Sequence, residues 1–381
     1  MKKLKIFKLA ELFCGPGGLS LGALSALVTD SKGSSYKIQP IWANDIDSDT
    51  CKTYSRNIHA GKNGKVICAP IETVDLAKIP SFDILAFGFP CNDFSIVGEQ
   101  KGFAGKFGPL YTYGVKLINI HNPKFFVAEN VSGLQSANEG KAFLQIISDL
   151  EKSGKGYKVT PHLYKFEEYG VPQMRHRVVI IGIRKDLNLE FKVPAPTTAF
   201  DFVTAREAIE NPPISANAPN NEITAQGKIV IERLKHIPPG ENAWFEGIPE
   251  HLRLNVKGAR MSQIYKRLHP DKPSYTLTGS GGGGTHGYHW KENRALTNRE
   301  RARIQTFPDN FIFEGSKESV RKQIGMAVPP KAAQIIFESL LKTFAGVEYE
   351  WVPAKTTNGT VFDYHAKQET IFTELEPAIA I

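Results

Sequence analysis

Cysteine is scarce in this chain: four in 381 residues, Cys14, Cys51, Cys68 and Cys91, and no two of them form a Cys-x-x-Cys pair. So sparse a set excludes a disulfide-built scaffold, and its spacing offers no zinc ribbon or finger. Long apolar runs are also missing. No stretch reaches the roughly 18 uninterrupted apolar residues of a membrane span. The basic start, Met1-Lys2-Lys3-Leu4-Lys5, leads into an apolar stretch broken by Lys8 and Glu11, which makes a poor signal peptide. A reducing cytoplasm and no membrane partner are the expectation. Acidic residues are in deficit, 39 Asp+Glu against 47 Lys+Arg, for a net charge of +8. That balance favours a polyanionic partner over a cationic substrate. The remaining composition is ordinary globular usage, 41% hydrophobic and 23% charged residues. The length allows two or three domains with a sizeable core.

Short apolar runs alternate with helix-like segments from the start. Residues 4–13 read as a strand, 19–28 as a helix after a glycine-rich turn, 38–43 as a strand and 49–58 as a helix. Residues 82–88 and 124–128 have strand length, 141–150 has helical spacing, and 178–183 suits a strand buried on both faces. Strand and helix alternating in this way predict an α/β fold with a mostly parallel sheet. After about Arg184 the texture changes. Val193-Pro194-Ala195-Pro196 reads as a linker, and proline and glycine clusters interrupt the chain beyond it, including the run Gly281 to Gly284. A smaller irregular domain is expected over 191–290. Helical patterning returns at 297–305 and 331–344, and residues 346–381 read as a polar tail.

Four short motifs carry the chemistry. Phe13-Cys14-Gly15-Pro16-Gly17-Gly18 lies between a predicted strand and helix, where glycines let a cofactor approach the backbone and the helix start offers free N–H groups. Asp45 ends the next predicted strand, where a carboxylate can take two ribose hydroxyls. A connecting turn and a surface aspartate are the plainer alternatives. Gly88-Phe89-Pro90-Cys91 comes after another strand, so the Cys91 thiolate can serve as a nucleophile, or Cys91 is simply a buried structural cysteine. Glu129-Asn130-Val131 ends a third strand, where burial would keep a carboxyl protonated for proton donation, or the segment is only a turn. In Gln173-Met174-Arg175-His176-Arg177, alternate side chains of an extended segment share a face and could bind phosphate or a base carbonyl, or form a solvated basic edge.

These motifs, in this order, resemble the DNA cytosine-5 methyltransferase family of bacterial restriction–modification type. Asn44-Asp45-Ile46-Asp47 resembles the family's second motif. Arg294-x-Leu296-Thr297 with Glu300 and Arg303-x-Gln305-x-Phe307-Pro308 resembles its ninth, and Gln323-Ile324-Gly325-Met326-Ala327-Val328-Pro329 its last. Tyr275-Thr276-Leu277-Thr278 resembles the end of a target-recognition domain. The resemblance covers about residues 8 to 345. Met326 stands where the family usually has Asn, and Pro70 where an Asp often meets the adenine ring.

The resemblance implies a Rossmann-like catalytic domain over 1–190, a target-recognition domain over 191–290, and segments returning to the catalytic domain over 291–345. It implies S-adenosylmethionine as cofactor, held by Phe13, Gly15, Gly17, Gly18, Asp45, Ile46, Pro90 and Met326. It implies that Cys91 adds to C6 of a flipped-out cytosine, with Glu129 at N3, Arg177 at O2, and Arg175 and Asn130 steering the loop that carries Cys91. Residues 251–270 are basic and contain no Asp or Glu. Their Arg253, Lys257, Arg260, Lys266 and Arg267, with Gln173 and Thr276, are the expected contacts to double-stranded DNA. A monomer is expected, with a cognate endonuclease acting on the same site without a stable complex. A tRNA methyltransferase of the same fold and a catalytically silent DNA-binding module are the alternatives.

Overall fold

In the computed structural model, residues 3–59, 64–89, 110–135, 140–255, 261–279 and 284–356 are described. Their elements run β1 (Leu4–Leu12), α1 (Gly18–Ser25), β2 (Leu27–Thr29), β3 (Ser35–Asp45), α2 (Ser48–Asn57), β4 (Lys65–Cys68), β5 (Ile84–Gly88), α3 (Tyr111–His121), β6 (Phe125–Val131), α4 (Lys141–Lys152), β7 (Tyr157–Lys165), β8 (Gln173–Met174) and β9 (His176–Arg184). After these come β10 (Val193–Pro194), α5 (Ala205–Glu210), α6 (Lys228–Lys235), β11 (Ser274–Tyr275), α7 (Asn298–Ile304), α8 (Lys317–Met326), α9 (Pro330–Ala345) and β12 (Trp351–Val352). The chain divides into two compact units.

The first unit comprises Met1–Phe82, Lys165–Arg175 and Pro196–Val347. In it β1 runs parallel to β3 from Leu4↔Ser35 to Leu12↔Asn44, and β4 runs parallel to β3 farther along. β1 is exposed at its start and buried from Leu9 on, so its C-terminal end delivers the chain into a packed interior. The helix expected over 19–28 stops at Ser25, because Leu27–Thr29 pairs antiparallel with β3 instead. α2 begins where Asp47 accepts from the Thr50 N–H at 2.9 Å, and α7 begins on a capping box formed by Thr297 and Glu300. Tyr54 and Ile58 share a core with Phe307, Phe311, Phe313 and Ile324. Arg299 ties the segment before α7 to the one after it. Its guanidinium, fully buried, donates to the carbonyls of Pro219, Pro308 and Phe311 at 2.9, 3.0 and 2.7 Å. The irregular stretch after Pro196 packs small cores of its own, one around Leu268, Leu277 and Trp290, another around Leu234, Ile248 and Tyr288.

The second unit comprises Asp83–Tyr164, His176–Ala195 and Glu348–Ile381. Its strands lie in the order β5-β6-β9-β7. β5 and β6 are parallel, and residues 84–87 and 125–128 are wholly buried, as a strand covered on both faces requires. The strand expected over 178–183 extends over His176–Arg184 and lies antiparallel to β6. An unbroken apolar run reports burial and carries no sign of direction. α4 buries Ala142, Phe143, Ile146, Ile147 and Leu150, one stripe of a helical period. The polar tail begins with order: β12 pairs antiparallel with β10. These two units cut the chain at other points than the segments read from sequence, because compactness depends on contacts and the sequence reading tracked changes in texture. Among the described residues, no helix is long and apolar enough to cross a membrane.

Candidate active site

In the first unit, β1 ends in a loop built from main chain. Phe13, Gly15 and Gly17 all have positive φ, at 52°, 54° and 101°. A left-handed conformation suits glycine and strains Phe13, which the surrounding packing must over-determine. The Gly18 backbone lies so close to the Val328 segment that a Cβ there would sit 2.1 Å from the Val328 carbonyl oxygen. At Gly15 the space is open instead, with nothing within 4 Å of a Cβ position. Asp45, at the end of β3, accepts the Gly15 N–H on Oδ2 at 2.9 Å and the Asp47 N–H on Oδ1 at 3.0 Å. Each oxygen keeps a lone pair for a ligand hydroxyl. Burial pushes the Asp45 carboxyl up, partly offset by these N–H donors. Ile46 beside it is 69% exposed, a large apolar side chain left bare next to a carboxylate. An open glycine cradle, a carboxylate with spare acceptor capacity and a bare apolar surface fit a nucleoside-containing ligand. Met326 ends α8 and is 65% exposed. Pro90 lies outside the described residues.

One group with the marks of function was missed from sequence. Glu11 of β1 is buried beneath this loop, where the Ser20 hydroxyl donates to its carboxylate and the Tyr54 hydroxyl lies at 3.3 Å. Burial pushes its carboxyl up to about 8. The only signal was one acid inside an apolar strand. Cys14 is buried close by, and burial, with Asp45 and Glu11 adding repulsion, pushes its thiol well up. That thiol is no nucleophile.

In the second unit the groups are side chains. Cys91 lies outside the described residues, but the strand that leads to it is β5. Asn130 is buried, donating from Nδ2 to the Phe89 carbonyl at 3.1 Å and accepting the Val131 N–H on Oδ1 at 2.8 Å. It therefore holds the start of the segment that runs into Pro90 and Cys91. Glu129 and Arg177 come together across the antiparallel β6–β9 pair. Arg177 Nε lies 3.0 Å from Glu129 Oε1, with both side chains 13% exposed, and Arg177 Nη1 donates to the His176 carbonyl at 2.7 Å. The reading of Glu129 from burial alone left out this guanidinium partner.

The segment 173–175 belongs to the first unit and departs from expectation. Gln173 and Arg175 are 0% and 2% exposed, so they form no open basic row. Gln173 sits in β8, which pairs parallel with β11, and its Oε1 accepts the Leu277 N–H at 3.2 Å. The Thr276 hydroxyl donates to the Met174 carbonyl at 2.5 Å. Gln173, through its Oε1, and Thr276 thus fasten the strand expected to end the recognition domain, while Gln173 Nε2 is buried with no hydrogen-bond partner among the described residues. The Arg175 backbone N–H donates to Glu167 Oε2 at 3.2 Å.

The basic stretch 251–270 is corrected at one position. Arg267 is 4% exposed, and its guanidinium donates to His289 O, Leu234 O, Ile237 O, Asn293 Oδ1 and Glu292 O at 3.0, 2.5, 3.3, 3.0 and 3.0 Å. It is an internal brace, with each of its three nitrogens bonded to the protein, and it is too buried to form part of an open basic surface. Arg253 is exposed but folds back on the carbonyls of Ile248 and Glu246 at 2.9 and 3.0 Å. Lys266 is half-buried with Nζ 4.7 Å over the Tyr275 ring. Lys257 and Arg260 lie outside the described residues.

Residues 7–342 match the model of a family described as C-5 cytosine-specific DNA methylase. The chain is 59% identical over 355 residues to the type II methyltransferase M.BbvI of Brevibacillus brevis, covering 92% of this chain and 94% of that one. It is 43% identical over 348 residues to the type II methyltransferase M.NgoFVII of Neisseria gonorrhoeae, covering 89% of this chain and 87% of that one. Among solved structures, an E. coli protein encoded within a prophage and assigned as a DNA modification methyltransferase superposes with a TM-score of 0.67. It shares 24% identity and covers 89% of this chain and 99% of its own, a likeness of fold.

Proposed function

The chain belongs to the C-5 cytosine-specific DNA methylase family and is a DNA (cytosine-5) methyltransferase, and we propose that it methylates one cytosine of a specific duplex site through a covalent adduct to Cys91. The observation that carries this reading is the half-buried Glu129–Arg177 pair at 3.0 Å, with Glu129 on β6, beside the strand that leads into Pro90-Cys91, and Arg177 on the next strand, β9.

Cytosine C5 is too poor in electrons to take a methyl group unaided. The Cys91 thiolate adds to C6, the C5–C6 π pair moves to C5, and negative charge spreads over the ring. Glu129 faces N3, where its carboxylate must first take up a proton to donate one, and Arg177 faces O2, where a guanidinium stabilises the charge that develops. The Gly15 loop, Asp45 and Ile46 would hold S-adenosylmethionine, which would supply an electrophilic methyl when bound. Asn130 keeps the Cys91 segment oriented. The final step removes the C5 proton to a base, re-forms the C5–C6 double bond and releases the thiolate. Because C5 and C6 are stacked inside a duplex, the base must be flipped out first. The recognition segment fastened by Gln173 and Thr276 lies on the DNA in this reading. We place the enzyme in the bacterial cytoplasm as a monomer, the modifying half of a restriction–modification pair whose endonuclease acts on the same site separately.

Bisulfite sequencing of DNA from cells expressing the chain tests the activity and reports the site. Methylated cytosines in one repeated sequence are expected, and none anywhere would overturn the reading. A 5-fluorocytosine duplex blocks the last elimination, so wild-type protein should remain covalently attached to it. An equal adduct with Cys91→Ser would remove Cys91 from the mechanism.

A further inference from the structure

Two buried arginines of the first unit have opposite surroundings. Arg267 bonds each of its three side-chain nitrogens to the protein. Arg301, on α7, is 3% exposed, yet its Nη2 is buried with no hydrogen-bond partner among the described residues. The acid next to it gives little relief. Glu300 is taken up by Arg294, at 2.8 and 2.7 Å, and by the Thr297 N–H at 2.8 Å.

A second cation lies close by. Arg321 of α8 also has a buried nitrogen, Nε, without a partner among the described residues. Its Nη1 is 3.4 Å from Nδ1 of His286, and its Nη2 is 3.6 Å from Glu318, a carboxylate 80% exposed and so largely screened by water. Burial pushes the Arg301 guanidinium down to about 10, with the neighbouring Arg321 charge adding to it, while Tyr275 and Glu300 act the other way. Burial, then Arg321 and Arg301, likewise pushes His286 down. Two guanidinium groups on helices that pack together, α7 and α8, therefore stand without a committed acid, since the acids near them are either claimed by Arg294 or open to water.

Removing a guanidinium from water and giving it no acceptor is unfavourable, and placing a second beside it adds repulsion. A neutral base edge would satisfy hydrogen bonds but leave the charge. A phosphodiester does both, since its two free oxygens match the forked donors of arginine. We infer that Arg301 and Arg321 form a binding site for one backbone phosphate of the DNA duplex. This rests on the reading of the chain as an enzyme of duplex DNA. The site positions DNA without reading its sequence, because a phosphate is the same at every base pair.

The test is equilibrium binding of the full chain to two duplexes, one carrying the mapped methylation site and one lacking it, from about 50 to about 200 mM salt. For Arg301→Met, binding to both duplexes should weaken by about tenfold or more at low salt, as loss of a charge-assisted contact predicts. The slope of log K against log salt should become shallower by about 0.9, one phosphate's worth of released counterions. Arg321→Gln should act in the same direction, and Arg301→Lys should restore most of the slope. The melting temperature of free Arg301→Met should hold or rise, because a buried unpaired charge has been removed. An unchanged slope, a loss confined to the duplex carrying the site, or a lowered melting temperature would each overturn the inference. Wild-type protein that binds neither duplex would overturn the DNA reading as well. Wild-type binding with an unaltered variant removes the phosphate site alone.

Discussion

The loop at residues 13–18 and the β6–β9 pair are built in different ways. The loop is made of main chain: positive φ angles at Phe13, Gly15 and Gly17, a Gly18 pressed on Val328, and one carboxylate, Asp45, tied down by two N–H groups. The β6–β9 pair is made of side chains, Glu129, Asn130 and Arg177, on strands whose backbone is ordinary ladder. A main-chain site cannot be altered without altering the fold around it. A side-chain site can be emptied while its strands stay paired. Substitutions in the first region should therefore cost stability and cofactor affinity together, and those in the second should cost rate alone.

The largest effect is expected at the proposed nucleophile that the second region serves. Cys91→Ser should lower kcat by at least about a thousandfold, with the melting temperature held to within a few degrees. A large fall in melting temperature would break the contrast. Next is the buried Glu11. Its carboxyl is raised from 4.5 to about 8 in the folded protein, so the native state binds the extra proton between those values. Stability from this group is complete below about pH 4.5 and is lost as pH rises through about 8, by on the order of a few kcal/mol. Denaturant unfolding across that range should show wild type weakening relative to Glu11→Gln, which has no proton to lose. Parallel pH curves would exclude a protonated Glu11.

Glu129→Gln should lower kcat about a hundredfold, the usual share of a positioned acid–base group, with little change in the cofactor Kd from calorimetry. A Kd that moves with kcat would place Glu129 in cofactor binding. Gly18→Ala should destabilise by about 2 kcal/mol, because the added methyl meets a backbone carbonyl that can move only with its segment, and should weaken cofactor binding as well. Retained stability would show that the close approach is soft. The smallest effect belongs to Thr276→Val, about 1 kcal/mol for a lost hydrogen bond to the Met174 carbonyl, read by urea unfolding.

Much of the fold was legible because it is local. β5 and β6 are short apolar runs, and burial on both faces needs little else. α4 carries its apolar stripe at helical spacing. The misses share a cause in distant partners. β7, with lysine and proline in it, pairs by position in the sheet. α8 is mostly polar and is held by contacts such as the Thr53 hydroxyl donating to Gln323 Oε1 at 2.7 Å. β9 lies antiparallel because of the path its chain takes from β7, and its residues carry no trace of that.

Residue type at short range was enough to nominate the candidate groups of the site. Glycine at a left-handed turn, an acid after the second long strand, Pro-Cys after another, and acid and arginine on later ones are all local constraints. The role of each arginine was settled only by the tertiary fold. Arg267, Arg299 and Arg301 look alike in sequence, each in a basic stretch. The first two are filled by carbonyls from segments well removed along the chain, and the third is buried with a nitrogen left over. An acceptor is a main-chain oxygen that any residue can supply, so only the folded path of the chain brings it to one guanidinium and withholds it from another.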